Sequence, residues 1–172
     1  MSIYSADLDE YRQRLHANGR ATDPAFGLDE LLFRRFPKQS LVSGWPMALA
    51  IPFDSSGISV NRSRYSLAQD VLEPDCCGGN YRAGQVVLEF GVADFPAELP
   101  VENPEYKFRL KHVPGECCYA HSVIWCNPAG DIKQPCSTPS KTIRDLFRAE
   151  LLTKIQSAGR TPREFTVLGP VA

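Results

Sequence analysis

The chain has 172 residues and a formal net charge of -1, with 19 basic against 20 acidic side chains. One domain fits that length, and 43% hydrophobic against 23% charged residues argues for a packed core and against wholesale disorder. The near-zero balance speaks against a nucleic-acid binder working through bulk positive charge, and no apolar run reaches the roughly 18 residues of a membrane span.

Residues 5–19 read as a helix. Ser5 caps it, Asp7, Asp9 and Glu10 suit its positive end, Leu8, Tyr11 and Leu15 share one side, and Asn18-Gly19 ends it. Residues 31–36 read as a strand stopped before Pro37, with a short helix after Asp29 as the alternative. The apolar stretch 47–53 is broken by Pro52, and residues 57–61 alternate as a further strand. Ser66-Leu67-Ala68-Gln69 has the pattern of a capping box and predicts one or two helical turns to Leu72, followed by a loop over 75–80.

Residues 86–93 form the clearest buried strand. Over 106–112 the alternation is strict: Tyr106, Phe108, Leu110 and His112 share one face, and Lys107, Arg109 and Lys111 the other. Pro114-Gly115 then turns the chain into a strand over 119–126, which predicts a hairpin. A long helix follows, capped by Thr138 with Pro139 in its first turn. Its apolar stripe is Ile143, Leu146, Phe147, Leu151 and Ile155, and Gly159 closes it. Residues 164–168 read as a final strand. The expected fold is α+β: a single domain over 1–172 whose mostly antiparallel sheet carries an N-terminal helix and a long C-terminal helix. Within it, 1–28 is helix and link, 29–126 the sheet-rich core, and 137–172 the C-terminal helix and final strand.

The six cysteines are Cys76, Cys77, Cys117, Cys118, Cys126 and Cys136. No Cys-x-x-Cys pair is present, so neither a bound zinc nor any other cofactor is expected. The first residues lack a basic region followed by an apolar stretch, so the expected setting is cytoplasmic, with reduced thiols and no membrane attachment.

Charge is segregated along the chain. Residues 70–105 hold eight acidic side chains and a single basic one, Arg82, while the remainder carries 18 basic and 12 acidic side chains. The acidic 70–105 region suits a basic protein partner, and the basic remainder suits a phosphate-bearing small molecule or RNA.

Three clusters can carry chemistry. Arg34 and Arg35 sit side by side on a strand, so alternation sends them to opposite faces. Asn61, Arg62, Arg64 and Tyr65 concentrate donors at a strand end leading into a short helix, a reasonable cradle for an anion. His112 and His121 flank the hairpin turn, where two imidazoles can serve as general base and general acid near neutral pH. In the strand 119–126, His121 shares its face with Val123 and Trp125. Tyr11, Tyr65 and Trp125 do not interleave with basic residues along the sequence as the stacking platform of a single-strand binder would.

In this order, Leu-Phe-Arg-Arg-Phe-Pro at 32–37, Ser-Val-Asn-Arg at 59–62, and His-Val-Pro at 112–114 with Ala-His at 120–121 resemble segments shared by a group of small uncharacterised bacterial proteins. The resemblance implies no activity. From the residues themselves, the expectation is a protein that binds or processes a phosphate-bearing ligand, nucleotide or RNA, in an Arg/His cleft. The alternative is a non-catalytic interaction module using its segregated charge.

Overall fold

The structure, a computed structural model, describes residues 13–53, 57–72, 84–96, 106–128 and 140–165. Among the described residues there are seven strands: β1 Leu31–Pro37, β2 Leu41–Val42, β3 Trp45–Pro46, β4 Ile58–Arg62, β5 Gln85–Gly91, β6 Tyr106–His112 and β7 His121–Pro128. The long helix α1 spans Lys141–Ser157. Five strands form one antiparallel sheet in the order β5-β1-β4-β7-β6, and β2 and β3 make a small separate ribbon. The α+β single domain with its mostly antiparallel sheet is therefore observed.

Alternation sorts the sheet into two faces. Leu32, Phe36, Ile58, Val60, Val86, Leu88, Phe90, Phe108, Ile124 and Cys126 build the main core against Ile143, Phe147, Leu151, Leu152 and Ile155 of α1. Phe108 and Phe147 stack at 4.0 Å between ring centroids, and Phe53 meets both edge-on. On the other face Phe33 and Val87 pack under a short 3-10 turn, Ala68–Leu72. Among the described residues that turn packs against β5 and β1, and the β4–β7 part of the same face carries Ser59, Asn61 and His121.

Several boundaries differ from expectation. Ser140 caps α1, accepting the Ile143 amide at 3.4 Å, while Thr138 and Pro139 lie outside the described residues. Leu146 is 37% exposed and leaves the stripe, because the buried arc runs through Ile143, Phe147, Leu151 and Ile155; its sequence neighbour Phe147 takes the core position. Ser66 does not box the Ala68–Leu72 turn: its hydroxyl donates to the Arg62 carbonyl, and Asp70 accepts the Leu67 amide instead. β1 runs through Pro37, which sits at the end of the ladder opposite Gln85. Just before the expected final strand, 164–168, an isolated antiparallel bridge joins Val87 to Arg163, and residues 166–168 lie outside the described set. Of the N-terminal helix residues 13–15 are described as helical, and Gly19, with φ of 72°, follows their turn. Cys117 is disulfide-bonded, which corrects the reading of six reduced thiols.

Candidate functional site

His112 and His121 lie on opposite faces of the sheet. In the β6–β7 ladder His112 stands opposite Ser122, so its side chain shares a face with Ser122 and not with the adjacent His121. Proton transfer between a pair of imidazoles is thereby excluded. The ring of His112 is 4% exposed and fully engaged. Its Nδ1 accepts the backbone amide of Asp23 at 2.8 Å, so the ring proton sits on Nε2, which donates to the Tyr119 carbonyl at 2.5 Å. Burial holds its pKa below the ordinary imidazole value.

Arg62, Arg64 and Tyr65 belong to the same closed network as His112. Arg62 is fully buried and grips Glu30 with two nitrogens, Nε to Oε1 at 2.6 Å and Nη2 to Oε2 at 2.8 Å. Its Nη1 donates to the Asp23 carbonyl at 2.8 Å, its Nη2 also donates to the Ala25 carbonyl, and the Phe26 ring lies 4.0 Å from its guanidinium carbon. These partners occupy the donors expected to receive an external anion. Arg62 instead ties the loop through residues 23–30 to the end of β4. Tyr65 donates to the Asp23 carboxylate and stacks on His112 with ring centroids 5.6 Å apart. Burial and that hydrogen bond push the Tyr65 phenol up to about 12, while the same bond lowers the Asp23 carboxyl. Arg64 is exposed and reaches Asp23 at 3.2 Å.

The remaining candidates meet elsewhere. A cavity of about 580 Å³ opens on the polar face, walled by Arg34 and Arg35 of β1, Ser59 and Asn61 of β4, and His121 of β7, with Cys118 and Pro114 of the hairpin loop at its rim. Alternation along β1 sends Arg34 and Arg35 to opposite faces, yet both reach this cavity. The β1–β4 ladder stops after Leu32↔Arg62 and Phe33↔Asn61, and Arg34 fills the gap by donating from Nη1 to the Ser59 carbonyl at 2.8 Å. Arg35 is steadied by Nη1 on the Val71 carbonyl at 3.2 Å. Asp70, also on the wall, is bound by Arg14 at 3.0 Å, and its burial raises its pKa.

His121 donates from Nδ1 to the Val113 carbonyl at 2.8 Å, which places its lone pair on Nε2. The loop that frames the cavity closes through the bridge between Gly115 and Cys118. The end of the N-terminal helix clamps it: the Ala17 amide donates to the Glu116 carbonyl at 2.7 Å, and the Tyr119 amide to the Leu15 carbonyl at 2.6 Å. Among the described residues no group of three or more His, Cys, Asp or Glu side chains could hold a metal ion.

Sequence reasoning missed Asp23 and Glu30, the acceptors that take Arg62 out of the candidate set. It also missed the pairing of Trp125 with basic residues. Trp125 stands opposite Arg109 in the ladder, and the Lys111 ammonium lies 4.1 Å from its ring centroid. Along the sequence these groups are far apart, and the hairpin register interleaves them. Comparison with known proteins finds no matching family, curated protein or solved structure.

Proposed function

We propose that the cavity on the polar face binds a phosphate-bearing ligand. One observation carries the reading: Arg34, Arg35, Asn61 and His121, from three strands, wall one cavity whose volume is that of ordinary small-molecule sites. Paired guanidinium forks suit a phosphate, Asn61 adds an amide, and Nε2 of His121 supplies a proton acceptor at the same wall. His112, Arg62, Arg64 and Tyr65 have no part in this site; their role is to hold the loop through residues 23–30. The interaction-module reading draws less support. Asp70, Glu89 and Asp94, the described carboxylates of its acidic region, are each bound to an arginine of the same chain.

A thermal-shift screen with nucleoside mono-, di- and triphosphates, NAD and short RNA tests the proposal. A ligand at 100 times its dissociation constant stabilises the fold by about 2.7 kcal/mol. Arg35→Ala and His121→Ala are expected to remove that shift while leaving the unliganded melting temperature nearly unchanged. A screen with no responding ligand, or a response equal in both variants, overturns it.

A further inference from the structure

We infer that the ligand is a single-stranded nucleic acid, and that it runs out of the cavity along the outward face of the β6–β7 hairpin, with a base on Trp125 and phosphates on Arg109 and Lys111. The inference rests on the cavity reading above and extends it to a ligand class.

The hairpin register lays out the track. On this face β6 presents Lys107, Arg109 and Lys111, all exposed, and β7 places the half-exposed His121 and Trp125 on either side of the buried Val123. None of these six positions is acidic. Cations two residues apart on a strand are spaced by about 7 Å, so the three form a row on one edge. The row is continuous with the cavity. Lys111 pairs with Val123, Val123 pairs with Ser59, and Ser59 is part of the cavity wall. Two strand spacings, about 10 Å, separate the lysine from that wall.

Trp125 distinguishes nucleic acid from other polyanions. Cations on an edge strand also discourage edge-to-edge pairing, but that role does not require an indole beneath them. The Lys111 ammonium covers the Trp125 ring at 4.1 Å. A base stacking on the indole displaces that ammonium toward the adjoining phosphate, so the cation–π contact is exchanged for stacking plus an ion pair. The near-zero net charge of the chain does not oppose this, since the field at a surface comes from the local row of cations.

The test is fluorescence anisotropy of the full chain with a labelled oligouridylate of about twelve nucleotides, within the site sizes of single-strand binders, against UMP as competitor. The oligonucleotide is expected to bind at least about tenfold more tightly than UMP, with a log–log salt slope of about -0.7 for each phosphate contacted. Arg109→Glu with Lys111→Glu, both exposed, is expected to lower oligonucleotide affinity by at least about tenfold and flatten the slope, with the melting temperature and UMP affinity unchanged. In a Trp45→Phe background the oligonucleotide is expected to quench the remaining Trp125 emission. Binding of UMP and oligonucleotide with equal affinity overturns the track and leaves the cavity reading standing. Oligonucleotide binding that depends on Arg109 and Lys111 but is indifferent to Arg35→Ala overturns the cavity reading, and with it the path out of the cavity. Equal displacement by polyglutamate without quenching shows a general polyanion surface and overturns the inference.

Discussion

His112 hands its Nε2 proton to the carbonyl of Tyr119 and takes the amide of Asp23 on Nδ1, so one buried neutral ring joins the hairpin loop to the loop that carries Asp23. Because burial depresses its pKa below the ordinary value of 6.5, the unfolded chain binds a proton there before the folded one does. The stability this neutral ring contributes is present in full above about pH 6.5 and is lost as pH falls from there through the folded-state pKa. Urea unfolding followed from pH 7.5 down to 5 is expected to show this decline. His112→Gln should flatten it in that window and lower stability at pH 7.5 by about 1–3 kcal/mol. An unchanged slope in the variant removes His112 as its source.

Arg62 and Glu30 form a pair from which neither partner can be withdrawn alone. Each is buried, so a single truncation strands the other charge in the protein interior. Arg62→Ala and Glu30→Ala are each expected to cost about 3–5 kcal/mol in chemical denaturation. The double variant is expected to cost less than the sum of the two. Single losses below about 1 kcal/mol are incompatible with the buried two-pronged contact.

Tyr65 is expected to be a late-ionising tyrosine. With its phenol pushed up to about 12 by burial and by the Asp23 carboxylate, an alkaline absorbance titration should show a step near that pH, and Tyr65→Phe should remove it. Tyr65→Phe also removes the principal cause of the lowered Asp23 carboxyl, so Asp23 should then titrate closer to the ordinary carboxylate value by NMR. A step that persists in Tyr65→Phe belongs to another tyrosine.

The phase of α1 is tested by two adjacent positions. Phe147 is fully buried against Phe53 and Phe108, whereas Leu146 is 37% exposed. Phe147→Ala is expected to cost about 3–5 kcal/mol, and Leu146→Ala to stay within about 0.5 kcal/mol of the parent. Comparable losses at both positions contradict the observed helix phase.

Local patterns were legible wherever chemistry and geometry act over a few residues. Strict alternation over 106–112 placed Phe108, Leu110 and His112 on one face and the three cations on the other, and both strands of the hairpin formed in that phase. The apolar stripe of α1 was also legible except at Leu146, since the periodicity of 3.6 leaves a residue on the edge of the stripe ambiguous. Helix capping was misplaced by two residues because Thr138 and Ser140 carry the same hydroxyl, and only the backbone path decides which one accepts an amide.

The amino-acid sequence by itself determined which residues alternate, which segments bury an apolar face, and that arginines, histidines and an amide gather in three segments. Only the tertiary structure decided which of them share a site. Arg62 finds Glu30 across 32 residues of chain, and a buried guanidinium takes whichever carboxylate the loops deliver. His112 and His121 are parted by a one-residue phase relation in the ladder, since side chains on neighbouring positions of a strand leave on opposite faces. The gap between β1 and β4 brings Arg34 into the cavity with Arg35 although alternation along β1 separates them. Periodicity is a property of a single segment, whereas a site is set by register and by the places where strands part, and neither is encoded within one segment.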